Sequence, residues 1–197
     1  PMLLLVATAF ISLVLGMGLP GIAIYFMQVT LIVPALVAFG ILPIAAHFFI
    51  FYFGVFSLIT PPVAVAAMAA AGIAKSSPWE TGVEACKMGI VAFIVPFVFV
   101  FSPSLLAQGP VWLVAINFFS ASIGVVAIAV ALRGYFMTDV KLLLRIVLFA
   151  AAIGLFLPVD GHHFLIFINL ASLAATASVL FLNAKYAKEF KPATAPV

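Results

Sequence analysis

Charge is what this sequence has least of. Asp, Glu, Lys and Arg make up 7% of its 197 residues, against roughly 25% in an ordinary soluble domain. So few charges cannot cover the surface of a globular protein of this length. Apolar residues make up 68%, and the chain is read as an all-α polytopic membrane protein. Its apolar runs are continuous rather than alternating, which excludes a transmembrane barrel. No basic cluster is interleaved with aromatics, so nucleic-acid binding has no support. The single cysteine, Cys86, excludes an internal disulfide and reads as a small packing residue. No P-loop, catalytic triad or Cys/His zinc spacing is present, and no enzyme activity or organic cofactor is expected. His162 and His163 are adjacent with no third ligand, a poor metal site that reads as a solvated loop.

What is present is a set of long hydrophobic segments, two of which are interrupted without any charge. Residues 1–15 and 21–38 are two helical arms meeting at Gly16-Met17-Gly18-Leu19-Pro20. Residues 43–74 form one apolar stretch broken at Thr60-Pro61-Pro62. Single spans are expected at about 84–102, 111–132, 142–158 and 164–184, each near the roughly 20 residues that a bilayer requires. This gives a re-entrant helical hairpin over 1–38, one broken transmembrane helix over 43–74, and about four further transmembrane helices. Gly16–Pro20 also fits an ordinary turn between two full spans. The lack of any polar residue in it favours the hairpin. Pro34 and Pro96 are single prolines and read as plain kinks.

The cations alternate. Lys75 and Lys87 flank one loop, Arg133, Lys141 and Arg145 another, and Lys185, Lys188 and Lys191 crowd the tail. The intervening loops, Ser102 to Gly109 and Asp160 to His163, carry neither Lys nor Arg. The positive-inside rule makes the cationic side cytoplasmic. The C-terminus is then cytoplasmic, and the arms at 1–38 open toward the outside. Residues 187–197 are expected to be a polar cytoplasmic tail. Pro1-Met2-Leu3-Leu4-Leu5 has no basic n-region and no cleavage site, so it is not a signal peptide. The chain is expected to be a C-terminal fragment of a longer protein.

Within a bilayer, interrupted backbone is tolerated only where protein buries it or it lines a polar cavity. Paired breaks point to the binding site of a transporter. Proline lacks an N–H, so Pro20 is expected to free the carbonyl of Gly16, and Pro61 and Pro62 those of Ser57 and Leu58. These carbonyls lie at the negative ends of half-helices, which suits a dehydrated Na⁺. Hydroxyls of Ser57 and Thr60 add oxygens, and Gly16 and Gly18 permit a tight path at the first turn. The half-helix starts after each break suit an anionic substrate. The candidate ion and substrate residues are therefore Gly16, Met17, Gly18, Leu19, Pro20, Ser57, Leu58, Thr60, Pro61 and Pro62. His47 reads either as a substrate-side group or as a structural hydrogen bond to a neighbouring helix. Gln28, Asn117 and Asn169 read as interhelical hydrogen-bonders, worth roughly 0.6 kcal/mol each.

Three stretches carry a family resemblance: Gly16-Met17-Gly18-Leu19-Pro20, the run Ala45-Ala46-His47-Phe48-Phe49-Ile50-Phe51-Tyr52-Phe53-Gly54, and Ile59-Thr60-Pro61-Pro62-Val63. It extends through Ala70-Ala71-Gly72-Ile73-Ala74 to Phe101-Ser102-Pro103-Ser104-Leu105-Leu106. The chain resembles the C-terminal part of the large permease of tripartite ATP-independent periplasmic (TRAP) transporters, of the fused-subunit type. The resemblance implies that residues 1–106 belong to the transport domain, and that 107–186 are appended transmembrane helices. It implies an elevator-type secondary transporter of the bacterial or archaeal inner membrane, driven by Na⁺. An extracytoplasmic solute-binding protein would deliver an organic acid such as a dicarboxylate. Gly16–Pro20 would match the tip of the second re-entrant hairpin, and Ser57–Pro62 the partner break of one sodium site. The first hairpin and the scaffold would precede Pro1. The alternative is a truncated membrane fragment with only a structural role and no independent transport.

Overall fold

The computed structural model describes residues 2–18, 21–159 and 163–189. Leu19 and Pro20, the loop Asp160-Gly161-His162, Lys191 and most of the expected tail lie outside the described residues. The described chain is helical, with one isolated β-bridge between Tyr135 and Asp139. It divides into two units, residues 1–106 and 107–197.

The first unit contains α1 (Met2–Gly16), α2 (Gly21–Leu31), α3 (Val33–Ala38), α4 (Pro43–Phe56), α5 (Val65–Ala74), α6 (Pro78–Met88) and α7 (Ile90–Phe101). A 3-10 turn, Pro103–Leu106, follows. α4 is the centre, packed by α1, α2, α3 and α7. Its run of aromatics explains why. Phe49, Phe53 and Phe56 recur at helical spacing and meet Phe93 and Phe97 of α7 at centroid distances of 5.1–6.3 Å. Leu5, Ala9, Leu36, Ala45, Ala46 and Ile50 complete that core.

Two expected continuous elements are interrupted. The arm over 21–38 is split at Ile32, where Pro34 enters the first turn of α3. The span expected over 84–102 is two helices, α6 and α7, bent by 45° at Gly89. α6 starts earlier than hydropathy suggested because Ser77-Pro78-Trp79-Glu80 is a helix start. The Ser77 hydroxyl accepts from the Glu80 N–H at 3.4 Å, and Pro78 occupies the first turn, where its missing N–H costs nothing. Glu84 and Lys87 form the exposed i,i+3 pair at 3.2 Å, as their spacing predicts.

The second unit is a three-helix arrangement of α8 (Val111–Arg133), α9 (Leu142–Phe156) and α10 (His163–Glu189), with α9 packed on both others. α8 and α10 are each long and apolar enough to cross a membrane. The α6–α7 pair adds a third span if it crosses as one bent unit. α9 has 15 residues, about 22 Å at 1.5 Å per residue. That is shorter than the roughly 30 Å hydrocarbon core and than the 142–158 span expected.

Small and polar residues hold this unit together. A Cβ on Gly154 would collide with the Ser172 hydroxyl, and one on Gly124 would sit 3.2–3.4 Å from Phe156 and Leu155. Such close backbone approach is how helices pack where lipid removes the hydrophobic drive. Asn169 behaves as expected, donating to Ser120 Oγ of α8 at 2.7 Å, and Ser120 donates onward to the Leu155 carbonyl at 2.8 Å. Asn117 accepts from the Val159 N–H, beyond the end of α9, at 3.2 Å. Arg145 donates to the carbonyls of Ala131 and Leu132 at 2.7 and 2.9 Å, closing the C-terminal end of α8.

Asn183 of α10 binds the α8–α9 loop. Its Oδ1 accepts from the N–H groups of Met137 and Thr138, and its Nδ2 donates to the Thr138 carbonyl and hydroxyl. Asn183→Leu leaves these half-buried groups unpaired, at an expected loss of about 1–3 kcal/mol. Thermal unfolding in detergent checks this, with the exposed Ser178→Ala as the unchanged control.

Candidate functional site

The double-proline segment breaks the apolar stretch at the expected place, between the end of α4 at Phe56 and the start of α5 at Val65. The way it breaks differs from expectation. The backbone tightens past Phe56 into i+3 hydrogen bonds, Leu58 N–H to Val55, Ile59 N–H to Phe56 and Thr60 N–H to Ser57, at 3.1–3.2 Å. The Leu58 carbonyl accepts from the Ala66 N–H at 2.9 Å. The two carbonyls expected to be freed by Pro61 and Pro62 therefore each take a replacement partner. Each retains a second lone pair, since a carbonyl oxygen accepts two hydrogen bonds. The Pro61–Pro62 peptide is cis, and Ala64 starts α5 from a left-handed conformation (φ 43°).

Gly16 and Ser57 are brought together. Gly16 is the last residue of α1, and Ser57 is the first beyond α4. A Cβ on Gly16 would collide with the Ser57 hydroxyl and lie 3.1 Å from the Gly54 carbonyl. Only glycine allows this approach. The negative ends of two helix dipoles thus meet, each equivalent to roughly half an elementary charge. No Asp, Glu, Lys or Arg occurs in residues 1–74 to offset them.

Ser57 is 1% exposed, and its hydroxyl donates to the Gly54 carbonyl at 2.6 Å. The Thr60 hydroxyl donates to the Phe56 carbonyl at 2.7 Å. Because each hydroxyl spends its proton on the backbone, the oxygens remain as acceptors toward anything else. Thr60 and Pro61 face another direction from Gly16. They line a cleft of about 410 Å³ with Val83, Cys86, Lys87, Ile90 and Phe93. Lys87 at that cleft makes it the less favourable side for a cation.

Gly18 is not part of the close approach. Among the described residues a Cβ there meets nothing within 4 Å, and its φ is not left-handed. Met17 continues α1 by one turn-type bond to Val14. His47 lies ten residues before Ser57, about 15 Å along the helix. Its Nδ1 pairs with the Tyr25 hydroxyl of α2 at 2.8 Å. The pair lines a cleft of about 270 Å³ with Phe48 and Phe51.

Sequence reasoning missed the other wall of the break. Gly82, Cys86 and Gly89 recur at i, i+4, i+7 on the α6–α7 segment and lie against residues 56–64. A Cβ on Gly82 would sit 3.0 Å from Pro61, and one on Gly89 3.4 Å from Ile59. The Cys86 thiol donates to the Ile59 carbonyl at 3.4 Å. The spacing of small residues was the available signal.

A family model describing the DctM component of the tripartite ATP-independent periplasmic transporter matches residues 1–114. The chain belongs to this family. DctM is a transporter family, not an enzyme family, and the matched region contains both breaks. No curated protein and no solved structure matches the chain significantly.

Two glycines two residues apart thus differ in what they tolerate. Gly16→Ala is expected to cost about 1–3 kcal/mol through overpacking against Ser57, and Ser57→Gly in the same chain recovers part of it. Gly18→Ala stays within about 0.5 kcal/mol of the parent. Thermal unfolding of the three variants and the parent distinguishes them.

Proposed function

We propose that this DctM-family chain is the membrane permease segment of a Na⁺-coupled, binding-protein-dependent secondary transporter for organic acids. One observation carries the reading: the C-terminal ends of α1 and α4 meet at Gly16 and Ser57 in a region without any charged side chain. Converging negative helix ends favour a cation. The oxygens available are neutral carbonyls and hydroxyls, a hard set suited to an alkali ion and unsuited to a transition metal. The sodium ion is held by oxygens of Gly16, Ser57 and Leu58 on the Gly16–Ser57 side, and Thr60, which lines the cleft with Lys87, acts on it only through the turn they share. Met17, Gly18, Pro61 and Pro62 belong to the two interruptions beside it, and Leu19 and Pro20 are assigned to the site by sequence alone.

In this reading residues 1–38 are a re-entrant hairpin and α4–α5 is one broken span. Together they form part of a domain that moves as an elevator in the cytoplasmic membrane, with the C-terminus cytoplasmic. The partners are an extracytoplasmic solute-binding protein, the lipid bilayer and the permease region preceding residue 1. Residues 107–186 supply appended membrane helices.

The test is uptake by the full-length permease with its binding protein in proteoliposomes, in NaCl against choline chloride. A hydrogen-bond-type contact to a charged group contributes about 1.5–3 kcal/mol. Ser57→Ala is therefore expected to raise the half-saturating sodium concentration about tenfold or more. Thr60→Val shifts it in the same direction by less. An unchanged sodium dependence in both variants rejects the site, and equal uptake in choline rejects the coupling.

A further inference from the structure

The loop between α8 and α9 carries a combination that neither water nor lipid tails satisfy alone. Tyr135, Phe136 and Met137 are three consecutive aromatic or apolar side chains at its tip, 58%, 37% and 53% exposed. Cations stand on both sides of them. Arg133 ends α8, Lys141 precedes α9, and Arg145 lies in the first turn of α9. Asp139 is the one acid in residues 111–159, so three cations against one acid leave a net charge of +2 here.

The loop is fixed, so the exposure of its tip is built in. Its backbone closes through the Phe136 N–H to the Thr138 carbonyl at 3.3 Å and the Val140 N–H to the Gly134 carbonyl at 2.8 Å. Asn183 holds it from α10. Gly134 ends α8 in a left-handed conformation (φ 69°), and a Cβ there would lie 3.1 Å from the Arg145 guanidinium. That guanidinium gives two of its five donors to carbonyls of α8 and keeps its full charge at the loop.

The position of the loop decides what covers it. α8 has 23 residues, about 35 Å at 1.5 Å per residue. A crossing α8 therefore ends where the roughly 30 Å hydrocarbon core gives way to headgroups. Aromatic side chains favour that layer, and basic clusters beside a membrane helix attract anionic lipid. We propose that the α8–α9 loop docks on anionic phospholipid headgroups. Tyr135, Phe136 and Met137 enter the interfacial layer, and Arg133, Lys141 and Arg145 take the phosphates. A soluble acidic partner would meet the cations but would need an apolar recess for the tip as well. The bilayer surface offers both, at the point where α8 ends. The short α9 adds to this, because a bilayer accommodates a helix shorter than its core partly by drawing flanking cations to the phosphates.

The test uses the full-length permease titrated with phosphatidylglycerol or phosphatidylcholine and read by native mass spectrometry. Affinity for phosphatidylglycerol is expected to fall about fivefold for each cation removed in Arg133→Gln and Lys141→Gln, with phosphatidylcholine unchanged. Arg145 is left in place because it also closes the end of α8. Lys75→Gln with Lys87→Gln removes the same charge elsewhere and is expected to leave the affinity within about twofold of the parent. Equal losses in the two pairs, or no loss in the first, overturn the proposal. Depth is the second arm and does not need those variants. A fluorophore on Met137→Cys, in a background without other cysteines, is expected to be quenched by brominated lipid and shielded from aqueous iodide. Quenching by iodide puts the loop in water, and shielding from both quenchers puts it against protein. Either result overturns the docking.

Discussion

Backbone polar groups in an apolar chain must find partners inside the protein, and the arrangement around α4 follows from that constraint. A double proline removes two consecutive N–H donors from a helix that has no charged residue to help. The chain repairs the loss by tightening to i+3 bonds, by reaching across to Ala66, and by accepting the Cys86 thiol at Ile59. The repair succeeds only if neighbouring helices come close. Gly16 on one side and Gly82 and Gly89 on the other provide that proximity. The break is thus a packed junction rather than an open gap.

The same logic explains the contrast between the two units. In the first, aromatic side chains of α4 and α7 interlock, and glycines make the close approaches at the break. In the second, the helices are joined by small residues and by polar side chains such as Asn169, Ser120 and Asn183. Each of these makes hydrogen bonds that lipid could not replace. The family match covers residues 1–114, so most of this second packing scheme lies outside the matched region.

Much of the fold was legible because hydropathy and proline act locally. The interruption of 43–74, the kink near Pro34, the Glu84–Lys87 pair and the bonding role of Asn169 each follow from residue type and spacing. The bend at Gly89 was not legible. A glycine inside an apolar run has no local signature, and the neighbours this one meets, Ile59 and Phe56, lie about thirty residues away in sequence. Gly16 and Gly18 look alike in sequence, yet among the described residues only Gly16 meets a close neighbour.

The sequence by itself determined that the chain is helical and apolar, that it interrupts itself around Gly16 and at Pro61–Pro62, and which family it resembles. Those properties depend on which donors and side chains each residue carries. Only the tertiary structure decided that Gly16 meets Ser57, that Thr60 faces α6 instead, that His47 pairs with Tyr25, and that the Gln28 amide lies against the Ser12 carbonyl of α1. Such pairings depend on how separate helices settle against one another, and a residue's own chemistry does not specify the neighbour it will find.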